Sequence, residues 1–118
     1  MGRARRHLKL SLRICLEDDI ALGPGKADLL ESIDAEGTIT AAGRRLGMSY
    51  KRAWSLVETM NRCFESPLVE TSKGGAARGG ASLTRLGRSV LERYRAMEAA
   101  AHQAIRRDAR YIEGRLAR

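Results

Sequence analysis

The sequence has few of the residues that enzymes, metal sites and membrane-spanning segments need. Among its 118 residues there are only two cysteines, two histidines and two prolines. Cys15 and Cys63 form no Cys-x-x-Cys pair, so we expect no zinc site; we interpret them as two buried thiols, although sequence alone leaves a disulfide open. No apolar run approaches the roughly 20 residues that a spanning helix needs. No set of nucleophile, base and orienting residue is present either, so we predict neither an enzyme nor a bound cofactor.

The net charge is strongly positive. Lys and Arg number 22 against 14 Asp and Glu, a formal net charge of +8, which favours a polyanionic partner because clustered cations attract phosphates. Composition alone leaves DNA, RNA and an anionic membrane open. Residues 1–7 are basic and lack an apolar pattern, so we predict a disordered arm, either solvated or in contact with DNA. They also lack the apolar segment of a signal peptide, and we expect a cytoplasmic protein.

The hydrophobic pattern predicts a mostly helical domain with a small β-sheet. Leucine and isoleucine at every second position from Leu8 to Leu16 indicate a strand. The acidic residues 17–19 are interpreted as a solvated turn. A helix is predicted over about residues 26–35, ended by Gly37 in a left-handed conformation.

Two further helical segments follow, separated by a glycine. Thr38 or Thr40 is the predicted N-cap of the first, which is short and rich in small residues. Gly47 is placed at the turn, where a positive φ is common, and Ser49 caps a second helix over about residues 50–64. This arrangement is typical of a helix-turn-helix.

The second helix of this unit carries most of the side chains that we expect to contact DNA. A helix-turn-helix inserts the start of its second helix into the major groove, where Lys and Arg donate to guanine and Ser donates to several bases. Which residue contacts which base stays open. The predicted DNA contacts of this unit are Arg44, Arg45, Ser49, Tyr50, Lys51, Arg52, Trp54, Ser55 and Arg62.

Two segments of the sequence contain no acidic residue. None lies between Glu36 and Glu58 or between Glu70 and Glu92, whereas each interval contains four Lys or Arg residues. A winged helix lays these two segments on DNA, so the charge pattern agrees with the helical pattern.

The second of these intervals contains a glycine-rich loop. Residues 68–71 and 81–83 are predicted strands on either side of it, and the loop spans residues 73–80. Its glycines would let the backbone approach a phosphate ridge, while Lys73 and Arg78 supply positive charge. A nucleotide-binding loop is excluded because no Lys-Ser or Lys-Thr follows the second glycine pair and the loop lies within a hairpin.

A long amphipathic helix follows the hairpin. Thr84 is its predicted N-cap, and it extends to about Glu113, with Gly114 as the stop. A helix this long cannot bury its distal apolar stripe against so small a core, so we predict a homodimer formed through residues 84–118; the alternative is that the helix folds back or frays. The predicted dimer contacts are Val90, Leu91, Tyr94, Met97, Ala101 and Ile105.

Two motifs resemble those of the ModE-type molybdate-responsive transcriptional regulators, whose DNA-binding domain is related to the LysR winged helices. The first is Gly-Met-Ser-Tyr-Lys-Arg-Ala-Trp, from Gly47 to Trp54, and the second is the glycine-rich wing that ends in Leu83-Thr84. The resemblance covers residues 8–104. It implies a recognition helix that begins at Ser49, Tyr50 and Lys51 and a wing at residues 73–80.

The resemblance also implies a limit. Members of that family carry C-terminal molybdate-binding domains, which this sequence does not contain, so whether it senses molybdate or another effector stays open. It could act alone, with a separate effector-sensing protein, or as a constitutive DNA binder.

These observations predict a winged helix-turn-helix over residues 8–83, followed by a dimerisation helix. The expected function is sequence-specific binding of double-stranded DNA by a dimeric transcriptional regulator. The alternative is a winged helix that serves as a protein-interaction or architectural module, with Tyr50 and Trp54 as a docking patch. Salt distinguishes the two, because phosphate binding weakens steeply with added salt.

Overall fold

In a computed structural model, which describes residues 5–72 and 79–117, the chain is mostly helical. The described elements, in chain order, are β1 (Ile14–Leu16), β2 (Asp19–Leu22), α1 (Pro24–Glu36), α2 (Ile39–Arg45), α3 (Tyr50–Cys63), β3 (Val69–Thr71), β4 (Ala81–Leu83) and α4 (Arg85–Glu113). β1 pairs with β2 and β3 with β4, both antiparallel. This confirms the predicted class of a helical domain with small sheets and a long C-terminal helix. None of these helices is both long and apolar enough to cross a bilayer.

Three hydroxyl caps and two glycines set the helix boundaries, as predicted. The side-chain oxygens of Thr38, Ser49 and Thr84 each accept a hydrogen bond from the backbone N–H three residues on, at 3.0, 3.1 and 2.9 Å. Such caps supply partners for N–H groups that the first turn of a helix leaves unpaired. Gly37 and Gly47 have φ of 81° and 73°, the left-handed conformation that glycine adopts without a steric penalty.

The predicted strand over residues 8–16 is wrong for most of its length. β1 has three residues, and Glu17, with φ of 52°, turns the chain into β2, so the acidic turn is the tip of a hairpin. Residues 5–13, the part before β1 that the structure describes, belong to no strand. Leu12 lies instead against α4, where its carbonyl accepts a hydrogen bond from the Tyr94 hydroxyl at 2.8 Å.

Both cysteines are free thiols. Cys15 is exposed, as are its two neighbours in β1, so its interpretation as a buried thiol is wrong. Cys63, at the end of α3, is half-buried.

One hydrophobic core joins the helices, with α1 at its centre. This helix packs against α2, α3, α4 and β4, and its Leu29, Leu30 and Ile33 are fully buried. The face of α3 that spacing predicts to point inward does so. Its buried members are Ala53, Val57 and Met60, with Leu56 and Phe64 partly buried against them.

The apolar stripe of α4 has two parts. Leu91 and Tyr94 are only 9% and 1% exposed and belong to the core of their own chain, and Val90 packs against that core. The expectation that these two buried residues face a second chain is corrected accordingly, because α1 and the N-terminal segment cover this half of the helix. The remaining predicted dimer contacts are Met97, 45% exposed, Ala101, half-buried, and Ile105, 37% exposed.

The start of α4 lies against the residues that lead into β3. The Thr84 N–H donates to the Leu68 carbonyl at 2.9 Å, and the Thr84 hydroxyl donates to the Pro67 carbonyl at 2.8 Å. Gly87 is buried beside them, and a Cβ at this position would overlap the Leu68 carbonyl. Glycine is therefore required here by close packing.

We expect Gly87→Ala to lower the free energy of unfolding by about 1 to 3 kcal/mol, the usual cost of forcing an extra carbon into a packed site. Urea unfolding followed by circular dichroism measures it. Gly25→Ala is the matched control, because a Cβ at Gly25 meets nothing within 4 Å; it should be neutral or slightly stabilising. Equal midpoints for the two variants would contradict the packing argument.

Candidate nucleic-acid interface

The crossing of α2 and α3 is fixed by small residues and a tight turn. A Cβ added to Gly43 would lie 2.9 Å from the Cβ of Ala53, so the two helices touch backbone to side chain. The turn between them is closed by the Met48 N–H, which donates to the Gly43 carbonyl at 2.8 Å. This geometry sets the angle at which α3 leaves the core.

The first half of α3 points a polar and basic face to solvent. Tyr50, Lys51, Arg52 and Ser55 are all exposed, and Tyr50 is 61% exposed. Within the described residues, Lys51 and Arg52 take part in no ion pair. The helix therefore offers its N-terminal turn and two uncompensated cations to a ligand, as its spacing predicts.

The two aromatic residues of α3 differ in accessibility. Their rings lie 6.1 Å apart between centroids at 58°. Trp54 is half-buried against the core, and its indole nitrogen is buried without a hydrogen-bond partner in the described part of the chain. Tyr50 is thus the aromatic group best placed for an external contact, and the indole edge of Trp54 faces inward.

Two of the predicted DNA-contacting arginines carry carboxylate partners that the sequence pattern did not indicate. Arg45 pairs with Glu36 at 3.0 Å, and Arg62 pairs with Asp19 at 2.8 Å. Both pairs are solvent-exposed, so each contributes little to the stability of the fold. Arg44 is exposed and forms no ion pair with any residue in 5–72 or 79–117.

The acidic face of α1 is held against arginines of α4. Arg95 bonds to Asp28, Glu31 and Glu98, and Arg88 forms a bidentate pair with Asp34 at 2.8 and 3.1 Å. The hydrogen bonds from Arg88 lower the pKa of the Asp34 carboxyl. These carboxylates are therefore directed to α4, and Arg88 and Arg95 hold the two helices together.

The base of the wing is fixed on both sides. The Ser72 N–H donates to the Gly80 carbonyl at 2.8 Å, and the Ala81 N–H donates to the Gly37 carbonyl at 2.7 Å, which ties the hairpin to the end of α1. The predicted DNA contacts Lys73 and Arg78 lie outside the described residues.

Asn61 joins α3 to the wing. Its side-chain oxygen accepts hydrogen bonds from the Leu68 and Val69 N–H groups at 2.8 and 3.1 Å, and its side-chain nitrogen donates to the Val69 carbonyl at 3.1 Å. One amide group thus fixes the start of β3 relative to α3. Sequence reasoning gave Asn61 no role, although an Asn inside an amphipathic helix is unfavourable unless its side chain has a partner.

Lys26 is a further basic residue that sequence reasoning missed. It lies in the first turn of α1, burial lowers its pKa, and the charge of nearby Arg52 acts in the same direction. The two residues therefore bring positive charge from α1 and α3 together. No three His, Cys, Asp or Glu side chains in residues 5–72 and 79–117 come close enough to hold a metal ion.

Comparison with known proteins gives several relatives. The chain is 40% identical over 84 residues to the molybdenum-pterin-binding protein MopA of Rhodobacter capsulatus, and the aligned residues make up 71% of this chain and 32% of MopA. It is 39% identical over 97 residues to the molybdenum transport protein ModE of Azotobacter vinelandii, which is 80% of this chain and 36% of that protein. It is 35% identical over 86 residues to the DNA-binding transcriptional dual regulator ModE of Escherichia coli K12, which is 73% of this chain and 33% of that protein. The chain spans about a third of the length of these relatives. No family model matches it.

Replacing Asn61 by Ala should destabilise the protein by about 2 to 4 kcal/mol, because two backbone N–H groups and a carbonyl lose their partner at a part-buried site. Chemical unfolding gives the value. Gln103→Ala is the control, since Gln103 is an exposed amide on α4, and should change stability by less than about 0.5 kcal/mol. A small, equal effect of both would show that the three hydrogen bonds contribute nothing net.

Proposed function

Because the chain is homologous to the N-terminal part of ModE transcriptional regulators and of Mop proteins, we propose that it is a winged helix-turn-helix regulator that binds double-stranded DNA sequence-specifically. In this proposal α3 enters the major groove and the glycine-rich loop lies on the flanking backbone or in the minor groove. The protein is a binding protein and not an enzyme, and it acts in the cytoplasm.

One observation supports the proposal most strongly: the capped start of α3 presents Lys51, Arg52 and Ser55 side by side to solvent. The Ser49 hydroxyl accepts from the Arg52 N–H, which leaves other N–H groups of the first turn free to favour a phosphate. Lys and Arg at this position donate to guanine O6 and N7, a contact worth about 1 to 3 kcal/mol of discrimination.

The arginines that already carry partners fit the same proposal. Arg45 and Arg62 lie at the surface in exposed ion pairs that contribute little to stability. Replacing the carboxylate partner by a DNA phosphate therefore costs little free energy, and the released carboxylates return to water. Arg44 needs no such exchange.

A homodimer is part of the proposal. The distal half of α4 exposes Met97 and Ile105, and Met97 lines an apolar cavity between α4 and the β1–β2 hairpin with Ile14, Leu22 and Phe64. A second copy covering this region would remove these groups from water and present two recognition helices to a site with two half-sites.

The competing function is a winged helix used for protein docking. The observation that favours it is the Tyr50–Trp54 pair, in which an exposed aromatic ring lies tilted against a half-buried one at the surface of α3. The affinity of a docking surface of this kind changes little with salt, whereas phosphate binding weakens steeply as salt is added.

Lys51→Ala and Arg52→Ala should each weaken binding to a selected specific duplex by about 1 to 3 kcal/mol and relax sequence preference. Fluorescence anisotropy with specific and random duplexes over a range of salt measures both effects. Arg13→Ala is the control, because Arg13 is exposed and its side chain lies beside Gly23, which precedes α1 and is not part of the helix-turn-helix. An equal loss on specific and random duplexes for Arg52→Ala would exclude base contact by Arg52, and binding indifferent to salt would favour docking.

The dimer is tested by Met97→Glu. A charge at this apolar position should convert a dimer to a monomer, since burying an unpaired carboxylate in the contact is strongly unfavourable. Sedimentation equilibrium gives the mass, and circular dichroism checks the fold. A wild-type protein that sediments as a single chain at micromolar concentration would refute the dimer.

A further inference from the structure

The largest concentration of positive charge lies outside the helix-turn-helix. Residues 5–9 and 102–117 contain seven Lys or Arg and two acids, a net charge of +5 out of +8 for the whole chain. Residues 38–72, which include α2 and α3, contain five Lys or Arg and three acids, a net charge of +2. Most of the net positive charge, which favours a polyanionic partner, therefore lies outside the helix-turn-helix.

The structure brings these two basic segments together. The N-terminal residues follow α4: Leu12 is bonded to Tyr94, Leu8 shares a surface cavity with Arg106 and Arg110, and an Arg6 guanidinium nitrogen lies 3.5 Å from the Glu113 carbonyl. We define the distal basic patch by its exposed cations, which are Arg5, Arg6, Lys9, Arg106, Arg107 and Arg110.

The arginines of α4 differ in what they bind. Arg88 and Arg95, near its start, are paired with carboxylates of α1. In contrast, no member of the distal basic patch forms an ion pair with a residue that the structure describes. Arg88 and Arg95 thus hold α4 to α1, whereas the cations of the distal basic patch are exposed and have no ion-pair partner among the described residues.

We propose that the distal basic patch is a second contact for the phosphodiester backbone of DNA. The inference rests on the proposed function, because a duplex held by α3 raises the local concentration of phosphate around the rest of the protein. Arginine suits a phosphate ligand because its planar guanidinium offers several N–H donors that match two phosphate oxygens. Arg106 and Arg110, four residues apart, lie on one face of the helix and can contact one backbone together.

The position of the patch sets the length of DNA that it needs. Gly87 packs against the Leu68 carbonyl, just before the first strand of the wing. Arg110 lies 23 residues farther along α4, which is about 35 Å along the helix axis. This corresponds to about ten base pairs of duplex. A short duplex that contacts only α3 and the wing would not reach the distal basic patch. The phosphates bound by the patch would then belong to longer flanking DNA or to a second duplex.

The test compares a short duplex carrying the selected site with one extended by about 20 base pairs on each side. For the double variant Arg106→Gln/Arg110→Gln, affinity on the short duplex should be unchanged. On the long duplex the slope of log K against log salt should become shallower by about 1.8, or 0.9 for each lost phosphate contact. Arg13→Gln is the control and should match the wild type on both duplexes, and thermal unfolding confirms that each variant is folded.

The outcomes separate the two proposals and the two sources of phosphate. If the wild type binds the short duplex and the double variant matches it on the long one, the patch proposal is overturned while the proposed function stands. If only the long duplex is bound, and binding depends on Arg106 and Arg110, the patch is supported and the assignment of α3 is overturned. Co-migration of two differently labelled short duplexes, lost in the double variant, identifies a second duplex as the source. If the double variant matches the wild type in every DNA measurement, the patch proposal is overturned.

Discussion

The backbone of Leu68 is the point on which the proposed DNA-binding geometry depends. Its N–H donates to Asn61 of α3, and its carbonyl accepts from Thr84, the N-cap of α4. Gly87 leaves room for α4 to approach this carbonyl, and β3 begins at the next residue. One buried residue thus links the recognition helix, the wing and the long helix, so these three elements keep a fixed relative position. A helix and a wing that contact the same duplex need that rigidity, because their spacing must match the DNA.

The parts of this fold that the sequence predicts correctly depend on local chemistry. Thr38, Ser49 and Thr84 cap helices because a hydroxyl can bond to an N–H three residues away in any tertiary context. Gly37 and Gly47 occupy left-handed positions for a similarly local reason. The inward face of α3 follows from spacing alone. The helix-turn-helix and the exposed face of its second helix could therefore be predicted without knowledge of the rest of the chain.

The predictions that the structure corrects concern contacts between parts of the chain that are far apart in sequence. Alternation over residues 8–16 indicates a half-buried extended segment, but it does not say that the partner of Leu12 is a helix. The absence of acids around Arg45 in the sequence does not exclude Glu36 as its partner in space. Likewise, an apolar stripe on α4 does not distinguish residues that face their own core, such as Tyr94, from those that remain exposed, such as Met97. Each of these depends on how elements far apart in sequence pack.

The charge distribution connects the fold with the proposed function. The ion pairs between α1 and α4 use most of the acidic face of α1, while the start of α3 and the far end of α4 keep their cations free of partners in the described residues. The homology concerns about a third of each relative, and the proposal assigns the DNA specificity to the start of α3. The most direct test is selection of bound duplexes from a random pool by the wild-type protein. The account predicts enrichment of a motif with two related half-sites about ten base pairs apart, centre to centre, as a dimer with α3 in successive major grooves requires. A bound pool without any enriched sequence would contradict it.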